Sequence, residues 1–370
     1  MERGTSVVVQ PASQVTHTPY EELPGNVLGL RPDPQALFNH SPEVKLDLLK
    51  ELTGKSVLSA YVFDKQKLLE LFKFAALLQT GRFPASRALT GKILAAAFFE
   101  PSTRTRLSFE SAMLRLGGET ISVADAKTTG VAKGESLRDI GQMFNSYADI
   151  VVVRHTEQNA VQLLSEYLRV PLINGGNGSD EHPTQALADW YALLKWRPEI
   201  AFSKLPEDKK LHLGIVGTPG NMRTVKSFLI MALLMHENIS DITIISEMAD
   251  PLGPEIKDFC DKSPISFKFS NDLQGCLGDL DIIYMNSIAF LGDGYRHLSS
   301  NFVLSSKSPL KKDAVVLHPL ARGPELDIDL DDTPHNLYFN QADGAVFVRQ
   351  ALLLTMLGRV ETVLQGEYSS

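Results

Sequence analysis

Residues 92–118 read KILAAAFFEPSTRTRLSFESAMLRLGG. The run at 92–99 is almost continuously apolar, as in a strand that is buried on both faces of a parallel sheet. A Pro-Ser turn follows it, and apolar residues then recur at helical spacing until Gly117 and Gly118, a pair typical of a helix C-terminus. The stretch predicts a strand, a turn and a helix, which is the repeating unit of α/β proteins.

The same alternation continues along the chain. Helical patterns separate nearly all of the further strand candidates, which are 120–123, 149–153, 170–174, 211–216, 242–246, 282–285 and 314–317. Strands that alternate with helices form parallel sheets. We therefore predict an α/β fold with two domains, each with a mostly parallel sheet that is flanked by helices.

The domain boundaries are predicted from composition. Residues 1–35 are rich in Pro, Thr, Ser and Gly, which favours a partly disordered leader. The polar stretch at 203–210 separates two sets of strands, so the first domain would cover 36–195 and the second 196–344. The last helical pattern, at 345–365, is long enough to pack back on the first domain.

The overall composition argues against several classes of protein. A net charge of −8 and the lack of a basic run do not favour nucleic-acid binding. No apolar run reaches the roughly 18–20 residues that a membrane span requires, and the N-terminus lacks the pattern of a secretory signal. The two cysteines, Cys260 and Cys276, have no metal-ligand spacing and fit a reducing compartment. We expect a cytoplasmic protein without nucleic-acid or membrane partners.

The Ser-Thr-Arg-Thr-Arg turn has the chemistry of a phosphate site. Free backbone N–H groups at a helix N-terminus favour an anion. The hydroxyl groups of Ser102, Thr103 and Thr105 add donors, and Arg104 and Arg106 add permanently charged, bidentate ones. The alternative interpretation of the same residues is a hydroxyl helix cap followed by two surface arginines.

The whole string resembles the aspartate and ornithine carbamoyltransferase superfamily, in which this loop holds the phosphate of carbamoyl phosphate. Two further segments carry the resemblance. His182-Pro183-Thr184-Gln185 opens a predicted helix and matches the motif whose His and Gln contact the carbamoyl group. Arg154, at the end of a predicted strand, stands where the family has a carbonyl-binding arginine. A helix-cap histidine and a strand-end ion pair are the structural alternatives.

The chemistry of carbamoyl transfer explains the need for these groups. Attack of an amine on the carbamoyl carbon builds negative charge on the carbonyl oxygen and on the departing phosphate, and preorganised donors stabilise that charge. The resemblance implies direct transfer without a covalent enzyme intermediate, a metal or an organic cofactor. It assigns catalysis to Arg104, Thr105, Arg154 and His182. It assigns carbamoyl phosphate binding to Ser102, Thr103, Arg104, Thr105, Arg106, Gln185, Thr129, Lys133 and Leu320.

A fourth segment, TTGVAKGES at 128–136, has the composition of a glycine-flanked loop. In aspartate carbamoyltransferases the corresponding loop reaches into the neighbouring subunit's site, and Thr129 and Lys133 match its Ser/Thr and Lys positions. The resemblance therefore implies a homotrimer with shared active sites. A solvated loop lysine is the alternative interpretation.

The resemblance extends only in part to the site of the amine acceptor. Arg223, at a predicted helix start, matches the arginine that holds the acceptor's carboxylate. Ser287 and Ala289 replace the arginine and the glutamine that the family carries there, the arginine to pair with the aspartate side chain. Losing one buried Arg–carboxylate pair costs roughly 3–5 kcal/mol. Either another cation, Arg296 or Arg322, takes that role, or the acceptor lacks the second carboxylate.

Three functions fit these residues. The main hypothesis is an aspartate carbamoyltransferase-like enzyme with an altered acceptor pocket, which carbamoylates another small amine or amino acid. The second is a true aspartate carbamoyltransferase of pyrimidine biosynthesis. The third is a catalytically silent paralogue, against which the complete set of donor-side residues argues.

Overall fold

The computed structural model describes residues 6–8, 29–124, 130, 134–286 and 302–366. A small antiparallel pair of strands and three helices precede the first large sheet. These elements are β1 (Ser6–Val8), α1 (Ala36–His40), β2 (Glu43–Lys45), α2 (Leu46–Lys50) and α3 (Lys65–Gln79). Of the predicted leader at 1–35, only 6–8 and 29–35 belong to the described residues.

The first large sheet has four parallel strands. Its elements and their helices are β3 (Ile93–Phe98), α4 (Thr103–Arg115), β4 (Glu119–Val123), α5 (Leu137–Tyr147), β5 (Ile150–His155), α6 (Ala160–Ser165), β6 (Leu172–Asn177) and α7 (Pro183–Trp196). The order across the sheet is β4-β3-β5-β6. Strand β3 lies inside the sheet and is buried at five of its six residues, as its continuous apolar sequence predicts.

The second large sheet has five parallel strands. Its elements are α8 (Glu199–Phe202), β7 (Leu211–Val216), α9 (Arg223–Leu233), β8 (Ile239–Ile245), α10 (Gly253–Lys262), β9 (Ser266–Ser270), α11 (Leu273–Leu277), β10 (Ile282–Met285) and β11 (Val315–Leu317). The order is β9-β8-β7-β10-β11. Strand β8 pairs with one side of β7 and β10 with the other, so the strand order reverses between β7 and β10. In parallel sheets such a reversal leaves a crevice at the carboxyl ends of the two strands.

Aromatic side chains connect the helices that follow β6 and β7. Trp190 of α7 stacks on Phe228 of α9, with 5.1 Å between ring centroids. Phe228 in turn contacts Tyr284 of β10 at 4.6 Å. All three side chains are fully buried, so this apolar contact fixes the first sheet's α7 against the second sheet.

The C-terminal part differs from the single helix that was predicted at 345–365. Two helices are present, α12 (Tyr338–Met356) and α13 (Val360–Gln365). The first begins earlier than predicted, and the chain breaks at Gly358, whose φ of 67° is left-handed and ends the helix. Helix α12 packs against α3, α4 and α7, so it does lie on the helices of the first sheet.

The predicted fold class, two mostly parallel sheets flanked by helices, is confirmed. The strands predicted at 211–216 and 282–285 coincide with β7 and β10. Strand β9 was not predicted, because it is a short edge strand whose residues are mostly exposed. The domain limits 36–195 and 196–344 stay a prediction. Within the described ranges, no helix combines the length and the apolar character that crossing a bilayer requires.

Candidate active site

A cavity of about 490 Å³ lies at the carboxyl ends of the two sheets. The residues that line it come from the β3–α4 turn, the end of β5, the starts of α7 and α9, the end of β10 and the loop after β11. They are Pro101, Ser102, Thr103, Arg104, Thr105, Arg154, His182, Gln185, Asn221, Met222, Arg223, Thr224, Asn286, Pro319, Leu320 and Ala321.

The start of α4 provides one wall of this cavity. Ser102 has extended backbone at the N-cap position, and the first turn of the helix carries no acidic residue. The helix therefore presents free N–H groups and its positive end to the cavity, beside two threonine hydroxyls. The Arg104 side chain is exposed and lines the same space. Together these groups form a site for a doubly charged anion such as a phosphate.

His182 is the N-cap residue of α7 and lies beside the start of α4. Its Nε2 is 3.2 Å from the Thr105 hydroxyl, and its backbone N–H donates to Ser227 Oγ at 3.0 Å. The side chain is buried. Burial lowers the pKa of His182 well below 6.5, and the positive charges of Arg154 and Arg223 lower it further. The imidazole is therefore neutral and can exchange hydrogen bonds with a carbonyl group.

Glu100, which the sequence analysis did not single out, connects two of the cavity's arginines. Its carboxylate accepts from Arg154 at 3.0 Å and from both Arg223 nitrogens at 2.5 and 2.8 Å. Burial raises the pKa of Glu100, but the hydrogen bond from Arg223 and the charge of Arg154 outweigh it, so the pKa lies below its ordinary value. Arg104, Arg154 and Arg223 bring three positive charges to the cavity, and Glu100 neutralises one of them, so the site keeps a net positive charge.

The structure brings most of the predicted site residues together. Nine line the one cavity, namely Ser102, Thr103, Arg104, Thr105, Arg154, His182, Gln185, Arg223 and Leu320. Thr129, Lys133, Ser287 and Ala289 lie outside the described residues. The sequence could have suggested Glu100, because an acid just before a turn with two arginines is expected to pair with a cation. Nothing local identified Arg223 as that partner.

Two predicted site residues lie elsewhere. Arg106 donates to Glu110 at 3.0 Å, one helical turn away, and is not among the residues that line the cavity. Arg322, expected at the acceptor site, forms a bidentate pair with Asp331 and lies over the Tyr338 ring at 5.8 Å. The Asp331 carboxylate binds both terminal guanidinium nitrogens of Arg322, and Arg322 is not among the residues that line the cavity.

The arrangement suits transfer of a group from a phosphate ester or anhydride. The α4 start and Arg104 can hold the phosphate, while Thr105, Arg154 and His182 converge where a carbonyl oxygen would acquire charge. In the described part of the chain, no three His, Cys, Asp or Glu side chains cluster in a way that could hold a metal ion.

Two family models match the chain. Residues 55–195 match the aspartate/ornithine carbamoyltransferase carbamoyl-P binding domain, and residues 209–356 match the aspartate/ornithine carbamoyltransferase Asp/Orn binding domain. All of the residues that line the cavity lie within these two matched segments.

Relatives and solved structures agree with the family models. The aspartate carbamoyltransferase catalytic subunit of Clostridium novyi is 36% identical over 314 residues, which cover 83% of this chain and 99% of that protein. The one from Pyrobaculum calidifontis is 37% identical, with 82% and 98% covered. The aspartate transcarbamoylase of Trypanosoma cruzi in complex with carbamoyl phosphate superposes with a TM-score of 0.72 at 26% identity, covering 84% of this chain and 97% of that one.

Proposed function

The chain belongs to the aspartate/ornithine carbamoyltransferase family and is an aspartate carbamoyltransferase-like enzyme, and we propose that its amine acceptor is aspartate. One observation carries the proposal: Arg223 and the carbamoyl phosphate residues Arg104, Thr105, Arg154 and His182 face one cavity. The relatives from Clostridium novyi and Pyrobaculum calidifontis are named for aspartate, which favours this acceptor over the altered acceptor of our main sequence-based hypothesis.

The donor would bind with its phosphate on the α4 start and its carbonyl oxygen toward Thr105, Arg154 and His182. The amino group of the acceptor attacks the carbamoyl carbon, a C–N bond forms, and the C–O bond to phosphate breaks. The departing phosphate can take the proton that the amine loses. Because His182 is buried and neutral, it stabilises the charge on the oxygen as a hydrogen-bond donor.

Arg223 would bind the α-carboxylate of aspartate. Its guanidinium pairs with the Glu100 carboxylate at 2.5 and 2.8 Å, but unlike Arg322 it lines the cavity, so an acceptor carboxylate can reach it. An arriving acceptor carboxylate would share Arg223 with Glu100 or displace it.

A different acceptor stays the second candidate because of one sequence observation. Ser287 and Ala289 offer no cation for a second carboxylate. Of the two expected substitutes, Arg322 is paired with Asp331 and does not line the cavity, and Arg296 lies outside the described residues. This observation favours an amine with a single carboxylate. The silent paralogue is the third possibility, and it predicts no turnover at all.

One experiment separates the three. Purified protein is incubated with carbamoyl phosphate and a panel of amines that includes aspartate, glutamate, β-alanine and ornithine, and phosphate release and product mass are read. We expect aspartate to give the highest kcat/KM. Faster turnover with a monocarboxylic amine would establish the altered acceptor, and no turnover together with no carbamoyl phosphate binding would leave the silent paralogue.

We also propose a homotrimer with shared sites. Helix α4 and the edge strand β4 expose large apolar side chains next to the cavity wall: Leu107 at 48%, Leu114 at 58% and Ile121 at 41%. An apolar face of this kind is expected at a subunit contact. The loop with Thr129 and Lys133 follows β4 directly, so a subunit docked there would have that loop near its neighbour's cavity.

A further inference from the structure

Asp189 is a fully buried acid on α7, one helical turn after Gln185. Its Oδ1 accepts from Gln185 Nε2 at 2.7 Å and from Gln341 Nε2 at 2.5 Å. Its Oδ2 accepts from the Tyr284 hydroxyl at 3.0 Å. The carboxyl group thus receives donors from three elements, namely α7, α12 and β10.

Burial raises the pKa of Asp189 to about 7, so near neutral pH the acid carries a proton part of the time. Oδ1 receives two amide N–H groups and accepts in either state, because a bound proton then lies on Oδ2, beside Tyr284. Gln185 must therefore turn its NH₂ group toward Asp189, and its carbonyl Oε1 away from it. Gln185 lines the cavity, and among the described residues its Oε1 has no hydrogen-bond partner. The amide consequently offers the cavity an acceptor that is ready for a donor on the bound ligand.

Asp189 also fixes the orientation of a second side-chain amide, that of Gln341. Gln341 also gives its NH₂ group to Asp189, which leaves its Oε1 to accept from the backbone N–H of His318 at 3.1 Å. His318 precedes the segment 319–321, which lines the same cavity as Gln185. One buried carboxylate therefore orders two parts of the cavity wall.

We propose that Asp189 is a specificity-determining residue that selects a carbamoyl group over other acyl groups on the phosphate. By fixing the Gln185 amide, it presents Oε1 to the NH₂ of carbamoyl phosphate. Acetyl phosphate has nearly the same shape but carries a methyl group there, so it would leave that acceptor unpaired. A site built to hydrogen-bond an N–H group discriminates strongly against the analogue that lacks it. The proposal rests on carbamoyl phosphate being the donor, as proposed above.

The test compares three ligands on four proteins. Affinities for carbamoyl phosphate, acetyl phosphate and inorganic phosphate are measured by calorimetry on the wild type and on Asp189→Ala, Asp189→Asn and Gln185→Ala. Inorganic phosphate reports on the α4 site alone, since it has no group to offer Gln185. Circular dichroism confirms that each variant is folded.

We expect the wild type to prefer carbamoyl over acetyl phosphate by tenfold or more. In Asp189→Ala a water molecule can occupy the vacated space, and because water both donates and accepts, it satisfies the amides without fixing their orientation. The preference should fall about tenfold while phosphate affinity changes less than twofold. Asp189→Asn, whose Oδ1 still accepts from both glutamines, should retain most of the preference.

A double variant separates positioning from general damage. Asp189→Ala combined with Gln185→Ala should lose no more preference than Gln185→Ala alone, because Asp189 acts through that amide. If Asp189→Ala does not fold, Asp189→Ser carries the same expectation. An equal loss of affinity for all three ligands, or an unchanged preference, would overturn the inference. A wild type that does not bind carbamoyl phosphate would instead overturn the proposed function.

Discussion

The guanidinium of Arg104 lines the cavity without a side-chain partner in the part of the chain that the structure describes. We therefore expect it to be free for the phosphate. Arg104→Ala should lower the affinity for inorganic phosphate and carbamoyl phosphate by at least about 30-fold, since a charge-assisted pair is worth about 2–5 kcal/mol. Calorimetry measures the affinities. Arg115→Ala is the control, because Arg115 lies exposed on the same helix and bonds to Ser111. Equal affinities in both variants would refute the placement of the phosphate.

His182 should stay neutral across the physiological range, because burial and the neighbouring arginines lower its pKa well below 6.5. The Cε1–H resonance of His182, assigned by its loss in His182→Asn, should not shift between pH 8 and 6. Since the unfolded chain takes up this proton near pH 6.5 and the folded chain does not, the residue makes the folded state less stable as the pH falls below that value. A titration of this resonance centred near pH 6.5 would contradict the burial argument.

Single residues differ in how far the sequence reveals them. Ser102, Thr103 and Thr105 could be predicted because a strand, a turn and a helix start are local features, and the hydroxyls stand within them. The partner of Glu100 could not be predicted, since Arg223 is 123 residues away along the chain. Asp189 is a core residue on a largely apolar helix, and only the structure shows which amides it binds.

Among the elements, the β3–α4 turn and the start of α9 are connected by the Glu100 carboxylate. Glu100→Ala removes the carboxylate that orients the Arg223 guanidinium, so this side chain should become mobile. We expect KM for the acceptor to rise about tenfold or more, with little change in carbamoyl phosphate affinity, as measured by steady-state kinetics and calorimetry. Glu110→Ala is the matched control, because it removes a carboxylate that pairs with Arg106 away from the cavity. A loss confined to donor affinity would argue against this division of roles.

The prediction of elements succeeded where the apolar pattern was continuous and failed where tertiary context decides. Strands β7 and β10 are largely buried and apolar except for His212, so their bounds could be predicted. Strand β9 exposes most of its residues, and α12 is so fully buried that it lacks an amphipathic face to mark its start. The helix break at Gly358 depends on its left-handed φ, and the sequence alone does not show which glycines adopt that conformation.

At the scale of the assembled enzyme, the exposed face of α4 and β4 should be a subunit contact. Leu107 and Leu114 lie two helical turns apart on one face of α4, and Ile121 continues the apolar surface onto the edge strand. Leu114→Lys would place a charge within that contact. We expect light scattering to show three times the 40.7 kDa chain mass for the wild type and a single chain for the variant. Ile328→Lys, at a 71% exposed residue of the second half, should leave the assembly unchanged.

Loss of assembly should also abolish activity if the sites are shared, because Lys133 would then serve a neighbouring subunit's cavity. Mixing two inactive variants tests this directly. Arg104→Ala removes the phosphate residue of its own cavity, and Lys133→Ala removes the residue that it would lend to a neighbour. Dissociated and reassembled together, the two should regain measurable turnover, since some cavities then receive an intact Arg104 and an intact Lys133. A mixture that stays inactive, although light scattering shows trimers containing both variants, would mean that each subunit completes its own site.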